Sequence, residues 1–283
     1  MHIVRHIAEL RSQVREWRDA RQGVGLVPTM GNLHEGHLAL VQEARDRCDR
    51  VVVSVFVNPT QFGPGEDFDA YPRTLDADCA RLARLGVDVV FAPPVEEIYP
   101  DPDAPRPQVS VPALSGILCG ASRAGHFEGV ATVVAKLFNI VQPDLAVFGR
   151  KDFQQLLVIH HMARGLNMPV QIVGAPVVRE PDGLAMSSRN SYLSAAERDR
   201  APAIFRALSA ARMRLESGDG NFREIEREAA TMLVADGLEP DYFRILRSAD
   251  LALPEAGDRD LVVVAAAWLG RARLIDNVEV TLK

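Results

Sequence analysis

The first half of the chain alternates short apolar runs with segments whose apolar residues recur every three or four positions. The runs are rich in β-branched residues, as in strands buried on both faces, and the periodic segments predict amphipathic helices. The predicted strands are 25–27, 51–57, 87–92, 144–149 and 170–173, and the predicted helices are 6–20, 38–47, 75–85, 126–139 and 152–166. This alternation predicts an α/β fold, a Rossmann-like doubly wound parallel sheet with right-handed crossovers.

The pattern changes after about residue 176. Helices are predicted at 195–216 and 222–235, followed by strands at 242–246, 261–267 and 273–280. Helices that precede strands favour a smaller α+β domain, so we predict two domains, residues 1–175 and 176–283. Residues 93–112 contain seven prolines and predict an extended surface loop, with a lid as the alternative.

Composition narrows the class of protein. A chain of 283 residues with 47% hydrophobic and 25% charged residues is long enough for two globular domains. A net charge of -6 argues against nucleic acid as the main partner. Three scattered cysteines predict reduced thiols, and no segment reaches the ~18 apolar residues of a membrane span. We therefore expect a cytoplasmic protein with no membrane partner.

The most informative stretch is Pro28–His37, which lies between a predicted strand and a predicted helix. Gly31 and Gly36 permit a sharp turn, and the start of a helix offers unpaired N–H groups to an anion. His34 and His37, three residues apart, would share one helical face. Either histidine alone is equally well explained as a helix-start residue. Together they predict a site for nucleotide phosphates, a property shared by several nucleotidyl-transfer families.

Three further polar clusters follow other predicted strands or the domain boundary. Ligands bind at the carboxyl ends of strands in such sheets, so these clusters are candidates for one site. Their simpler explanations are turn formation, helix capping and a solvated arginine. The clusters are Asn58 and Gln61, whose amides suit a hydroxyl or carboxylate; Lys151 and Asp152, which suit a phosphate and a ribose, with Gln155 about one turn on and on a similar face; and Ser187, Ser188 and Arg189, which suit a mobile phosphate clamp.

These motifs together resemble the pantothenate synthetase (pantoate–β-alanine ligase) family. The matching stretches are PTMGxLHxGH at 28–37, FVNPxQF at 56–62, YPR at 71–73, GHFxGVxTVVxKLFN at 125–139, KDxQQ at 151–155 and MSSRN at 186–190. HxGH alone is shared with nucleotidyltransferases and class I aminoacyl-tRNA synthetases, whereas the set is specific. Arg150 departs from the family, which usually has an acidic residue before the lysine.

The resemblance implies that ATP activates pantoate as pantoyl adenylate with release of pyrophosphate, and that β-alanine then displaces AMP. It implies Mg²⁺ carried mainly by ATP, with Asp78 as a candidate partner of the metal, and a homodimer. His37 would be the proton donor, and the hinged second domain would close over the intermediate. The implied ATP-binding residues are Met30, Gly31, His34, His37, Gly149, Lys151, Asp152, Val178, Met186, Ser187, Ser188 and Arg189, and the implied pantoate and β-alanine residues are Gln61, Gln155 and Asn58. His34, His37, Lys151 and Arg189 would be catalytic.

Two other functions fit part of the pattern. A nucleotidyltransferase of the HxGH type would use the histidines but leaves the paired glutamines unexplained. A non-catalytic nucleotide-sensing module would keep the fold but has little use for Lys151, Arg189 and both histidines together.

Overall fold

The computed structural model describes residues 1–101 and 104–282. The chain divides into two compact units, one of residues 1–150 and 155–176 and the other of residues 151–154 and 177–283. Residues 151–154, which lie before the predicted boundary at 175/176, fall in the second unit. There the Lys151 carbonyl accepts a hydrogen bond from Asn277 Nδ2.

The first unit is built on a parallel sheet of six strands with the order β1-β4-β3-β2-β5-β6. The strands are β1 (His2–Val4), β2 (Val24–Thr29), β3 (Arg50–Val55), β4 (Val89–Phe91), β5 (Leu145–Gly149) and β6 (Gln171–Ala175). The chain runs outward from β2 through β3 to β4 and then returns to β5 on the other side of β2. The strand order therefore reverses at β2 and β5, the place where such sheets bind ligands.

Helices connect these strands. They are α1 (Ile7–Asp19), α2 (Glu35–Arg45), α3 (Leu75–Arg84), α4 (Val95–Ile98), α5 (Pro112–Ser115), α6 (Cys119–Ser122), α7 (His126–Val141) and α8 (Phe153–Gly165). Strands β2 and β3 pair in register from Val24 with Arg50 to Thr29 with Val55, so both end at the same edge of the sheet. Their apolar side chains are buried among those of α2 and α3, which fixes the edge that carries the histidine turn.

The second unit has an antiparallel sheet, β7-β8-β9, covered by helices. The strands are β7 (Glu239–Arg247), β8 (Asp260–Leu269) and β9 (Ala272–Thr281), and the helices are α9 (Ala195–Arg200), α10 (Ala203–Glu216) and α11 (Phe222–Ala235). The predicted helix 195–216 is wrong as a single helix. Pro202 stands at the N-cap of α10 and has no N–H to continue the preceding helix, so the chain forms two helices.

Two other predictions about the first unit need correction. His2 lies in β1, which the sequence analysis missed, and this strand pairs in parallel with β4. The proline-rich segment 93–112 is not wholly extended, because it contains α4 and ends at the start of α5. Residues 102 and 103 of that segment, and the part of the lid prediction that rests on them, lie outside the described residues.

The remaining global features concern thiols and membrane spans. Cys48, Cys79 and Cys119 form no disulfide within the described residues, and the last two are buried. Burial, followed by nearby carboxylates, raises the pKa of Cys48 and Cys79. Among the described residues, no helix combines the length and the hydropathy required to cross a bilayer.

Candidate active site

The turn after β2 is held in place by a buried carboxylate. Gly31 and Asn32 both have positive φ, and the amides of Asn32 and the residue after it point at Asp78, which is 2% exposed. The N–H groups of Asn32 and Leu33 donate to the two Asp78 oxygens at 2.9 and 2.8 Å, and Thr74 Oγ1 donates at 3.1 Å. Asp78 is therefore a ligand of the main chain. Its role as a partner of the metal stays a prediction.

The two histidines lie against each other at the start of α2. His34 is the N-cap, and its Nδ1 accepts from the N–H of Gly36 at 3.1 Å. The N–H of His34 donates to His37 Nδ1 at 3.4 Å, and the ring centroids are 4.1 Å apart. A neutral imidazole that accepts at Nδ1 carries its proton at Nε2. These hydrogen bonds therefore assign both rings the tautomer with a donor at Nε2.

Gln61 is oriented by Asn58, which lies shortly after the end of β3. Asn58 is 1% exposed, and its Nδ2 donates to Gln61 Oε1 at 3.1 Å and to the carbonyl of Gly129 at 3.2 Å. Its Oδ1 accepts from Tyr99 Oη at 2.9 Å and from Thr60. Asn58 is thus fully engaged by protein groups and serves to hold Gln61.

The orientation of Gln61 leaves its amide nitrogen for another partner. Within the described residues, the hydrogen-bond acceptor of Gln61 Nε2 is Met30 Sδ, at 3.1 Å. A thioether is a weak acceptor, so this nitrogen retains the capacity to donate to a carboxylate or hydroxyl oxygen. Met30 and Gln61 are therefore adjacent.

The main chain of Gln61 is fixed by a polar cluster that the sequence analysis did not identify. His126 Nδ1 lies 2.8 Å from the Gln61 carbonyl oxygen, and Arg123 Nη1 lies 3.0 Å from His126 Nε2. Arg123 also donates twice to Glu66, at 2.8 and 2.6 Å. Burial acts to raise the pKa of Glu66, but the hydrogen bonds and charge of Arg123 outweigh it, and the pKa lies below its ordinary value.

Close packing of α7 completes this corner of the first unit. A Cβ atom on Gly129 would lie 2.3 Å from the Thr60 carbonyl oxygen and 2.7 Å from Gln61 Cα. Only glycine fits there. A glycine inside a helix is unfavourable relative to alanine, so its position in the GHFxGV motif is the sequence signal that could have revealed this contact.

Two further predicted site residues of the first unit lie at the end of β5 and at the start of α8, the next long helix. Gly149 is the last residue of β5, and Gln155 is half-buried in the first turn of α8. Arg150, which departs from the family pattern, donates from Nε to the carbonyl of Gly174 at 3.0 Å. Its side chain is therefore attached to the end of β6.

The second unit holds the predicted phosphate-binding residues. Lys151 and Asp152 lie in a 3₁₀ turn, Arg150–Asp152, with Lys151 Nζ 3.7 Å from Asp152 Oδ1. Val178 accepts from the N–H of Met186 at 3.0 Å, which closes a short hairpin. The segment after this hairpin contains the remaining predicted residues.

Ser187, Ser188 and Arg189 form the start of a 3₁₀ helix, Ser188–Tyr192. Ser187 is its N-cap and accepts from the N–H of Arg189 at 3.3 Å. This is the Ser-capped start that the sequence analysis weighed as the simpler explanation. All three residues are partly exposed, so capping and ligand binding are compatible here.

The comparison with protein families decides among the functions that this geometry permits. The family model described as pantoate-beta-alanine ligase matches residues 2–279. The chain belongs to the pantoate–β-alanine ligase family. The predicted family and the predicted class, an enzyme that forms a bond as a ligase, are confirmed.

Relatives in this family match the chain along its whole length. Pantothenate synthetase of Alkalilimnicola ehrlichii is 56% identical over 282 residues, covering 100% of this chain and 99% of that protein. The crystal structure of pantothenate synthetase from Thermus thermophilus has a TM-score of 0.92 and 50% identity, with 99% of this chain and 100% of that chain covered. The predicted fold class is thereby confirmed.

A third relative is a ligand complex. The pantoate-β-alanine ligase of Francisella tularensis, described as complexed with β-γ ATP and β-alanine, has a TM-score of 0.81 and 33% identity, with 98% of this chain and 97% of that chain covered. A member of the family thus binds β-γ ATP and β-alanine in the same fold.

The site residues that were predicted from the resemblance to the ligase family fall into two sets, one in each unit. The first unit holds Met30, Gly31, His34, His37, Asn58, Gln61, Gly149 and Gln155, and the second holds Lys151, Asp152, Val178, Met186, Ser187, Ser188 and Arg189. In the described part of the chain, no three His, Cys, Asp or Glu side chains are grouped to hold a metal ion. A protein-built Mg²⁺ site therefore does not fit these residues.

Proposed function

We propose that the chain condenses pantoate with β-alanine to pantothenate, using ATP and passing through pantoyl adenylate. The observation that carries this proposal is the match of the ligase family over residues 2–279. The Francisella tularensis relative, complexed with β-γ ATP and β-alanine, supports both substrates. The paired amide and imidazole groups of the first unit support the binding of a hydroxy acid and of phosphates.

The first half-reaction forms a bond between a pantoate carboxylate oxygen and the α-phosphorus of ATP, while the bond from that phosphorus to the pyrophosphate oxygen breaks. Two anions must meet, so the enzyme has to neutralise charge and align the groups in line. The Nε2–H groups of His34 and His37 are suited to donate to phosphate oxygens. His37 is the proposed proton donor to the developing charge.

Gln61 is the proposed ligand of pantoate, and it would also face β-alanine in the second half-reaction. Asn58 fixes Gln61 Oε1 and so leaves Nε2 to donate to a substrate oxygen. Gln155, in the first turn of α8, is the second proposed pantoate ligand. In this proposal Asn58 supports the site through Gln61 instead of touching substrate.

The second unit supplies cationic and hydroxyl groups for the phosphates. Lys151 provides a point charge, Arg189 a bidentate donor, and Ser187 and Ser188 provide hydroxyls. Gly149, Asp152 and Val178 are proposed to border the adenosine, with Met30, Gly31 and Met186 beside the phosphates. Mg²⁺ enters as Mg·ATP, because Mg²⁺ is commonly held through substrate phosphates and the described residues offer no cage for it.

In the second half-reaction the amine nitrogen of β-alanine forms a bond to the acyl carbon, and the bond from that carbon to the AMP oxygen breaks. The ammonium form of β-alanine loses one proton to become a nucleophile and a second when the amide forms, and both protons pass to solvent. Because a mixed anhydride hydrolyses readily, closure of the hinged second domain to exclude water is part of the proposal. The family's homodimer and a cytoplasmic location are also part of it, and sedimentation velocity tests the former.

The deciding experiment is pantoate-dependent release of pyrophosphate from Mg·ATP, measured with and without β-alanine. We expect release that requires pantoate, with AMP and an amide product only after β-alanine is added. Activity with a phosphorylated acceptor but not with pantoate would favour the nucleotidyltransferase. Tight ATP binding without pyrophosphate release would favour the nucleotide-sensing module. Either result contradicts the proposal.

A further inference from the structure

A buried ion pair in the second unit has no part in the chemistry described above. Asp276, in the middle of β9, is 2% exposed, and Arg179 approaches it with both terminal nitrogens at 2.6 and 3.0 Å. The Arg179 guanidinium also lies over the Phe205 ring, 3.9 Å from its centroid. Burial raises the pKa of Asp276, and the positive charges of Arg179 and Lys151 oppose that rise.

Such a pair is a poor source of stability. Removing two charges from water is expensive, and well-packed apolar side chains at such positions are often as stable or more stable. The neighbours in this core are apolar, including Leu274 and Val278 on the same strand. The presence of the pair is therefore better explained by what it holds in place.

Asn277, the next residue, connects the pair to Lys151. Its Nδ2 donates to the Lys151 carbonyl oxygen at 2.9 Å, across 126 positions of sequence. Its own carbonyl accepts from Arg179 at 3.3 Å, and its N–H donates to Asp276 Oδ1 at 2.8 Å. Asn277 is 4% exposed, so water does not compete for these bonds.

Arg179 also connects its ion pair with Asp276 to residues 186–189, the predicted phosphate clamp. It donates to the carbonyl of Gly183 at 3.1 Å, across the turn of the hairpin that Val178 and Met186 close. Arg179 and Ala185 form an isolated β-bridge in that hairpin. The residue that follows Ala185 is Met186, the first of the 186–189 clamp.

We propose that Arg179, Asp276 and Asn277 are positioning residues that fix the Lys151 main chain and the hairpin leading to Met186–Arg189. This inference rests on the proposed function of Lys151 and Arg189 as phosphate-binding residues. Asn277 is the member whose side chain acts on Lys151, so it provides the sharpest test. Asp276 and Arg179 act through their ion pair on both the Lys151 main chain and the hairpin that leads to Met186–Arg189.

The test is a double-mutant cycle on Asn277 and Lys151. Asn277→Asp keeps the shape of the side chain but replaces the donor to the Lys151 carbonyl with an acceptor. We expect kcat/KM for ATP in pyrophosphate release to fall about 10- to 100-fold, with a raised KM for ATP, because small misplacements of binding groups have effects of this size. In a Lys151→Met background, the same change should lower kcat/KM less than about threefold further, since residues that act as one unit are non-additive.

Controls separate positioning from folding. Asn221→Asp makes the same chemical change in an exposed turn of the same unit and should leave kcat/KM unchanged. Asn277→Ala removes the donor without adding a charge and is used if the aspartate variant folds poorly. KM for ATP does not depend on the fraction of folded protein, so a partly folded preparation still gives the answer.

Two outcomes overturn the inference. One is an equal loss of kcat/KM from Asn277→Asp in the wild-type and Lys151→Met backgrounds, which would indicate a purely structural role. The other is an unchanged KM for ATP in both Asn277 variants. Failure of the proposed function is distinguishable, because wild-type enzyme would then release no pyrophosphate in response to pantoate.

Discussion

Arg123 is linked to the Gln61 carbonyl oxygen directly, at 3.4 Å, and also through His126. It is joined by two hydrogen bonds to Glu66 and by one to His126, whose other ring nitrogen contacts the Gln61 carbonyl oxygen. The arginine donates to His126 Nε2, so the neutral ring carries its proton at Nδ1 and donates to Gln61. One ion pair thus orients the main chain of the residue proposed to bind pantoate.

Replacing Arg123 tests this connection. Arg123→Met should raise KM for pantoate about 10-fold, equivalent to ~1.4 kcal/mol, because His126 loses its orienting donor and Gln61 its anchor. KM for ATP should stay unchanged, since the histidine turn has its own support from Asp78. Steady-state kinetics with each substrate varied in turn gives both values.

Arg50→Met is the matched control. Arg50 also forms an ion pair with a carboxylate, Asp88 at 2.7 Å, but it begins β3 at the opposite end from Asn58. A similar rise in KM for pantoate in both variants would mean that general loosening of the first unit, and not the Gln61 anchor, is responsible.

Asp78 and Asn58 show why residue type alone does not assign a role. A carboxylate and an amide near a nucleotide site are chemically suited to a metal or a hydroxy acid, and the sequence analysis assigned them so. In the structure the Asp78 oxygens accept main-chain N–H groups and the Asn58 amide is shared among protein partners. The main-chain donors to Asp78 lie 46 and 45 positions away and the Gly129 carbonyl 71 positions from Asn58, so no local pattern could reveal these contacts, whereas Gln61 is only three residues from Asn58.

At the level of elements, α7 is the support for the 3₁₀ turn Pro59–Gln61. The helix approaches so closely that Gly129 faces the main chain of Thr60 and Gln61, and its carbonyl accepts from Asn58. The atoms that a new Cβ would meet belong to backbone, which cannot rotate away. Helix and turn would have to separate as whole elements.

Gly129→Ala should therefore lower the thermal unfolding midpoint by about 2–10 °C, the range expected when overpacking costs about 1–3 kcal/mol. It should also raise KM for pantoate, because the displaced turn carries Gln61. Differential scanning calorimetry and steady-state kinetics measure the two effects.

Gly165→Ala is the control, because this glycine ends α8 with no atom within 4 Å of a new Cβ. We expect its midpoint to change little or to rise, since alanine is favoured over glycine in helices by roughly 0.5–1 kcal/mol. A Gly129→Ala enzyme as stable and as active as Gly165→Ala would contradict the close contact.

The elements that were predicted correctly are those with a long, regular pattern. The positions of β2, β3 and β5 were predicted from their apolar runs, and those of α1, α2 and α11 from their periodic apolar residues. Strand β1, only three residues long and exposed at two of them, has too little pattern to detect. The break at Pro202 was detectable, because proline lacks the N–H that a continuous helix needs.

At the level of the whole molecule, the net charge of the chain has the same sign as the charge of its proposed substrates. The chain carries a net charge of -6, while ATP and pantoate, its proposed substrates, are anions. Attraction must therefore come from local groups, for which we propose the start of α2 with its histidines in one unit and Lys151 and Arg189 in the other. The proposed function requires both units to act on the same ATP.

This requirement predicts coupling between distant parts of the sequence. His37→Asn and Arg189→Met should each lower kcat/KM for ATP about 100-fold in pyrophosphate release, the effect of losing one donor to developing charge. The double variant should lose far less than the product of about 10,000-fold, because residues that stabilise one transition state are non-additive.

Arg50→Met combined with Arg189→Met provides the additive reference, since Arg50 lies at the amino end of β3 and has no proposed contact with substrate. If His37 and Arg189 were as additive as this pair, the two units would be serving separate steps. Strong non-additivity would instead assign His37 in the first unit and Arg189 in the second to a single adenylation event, which is what an acyl-adenylate ligase needs.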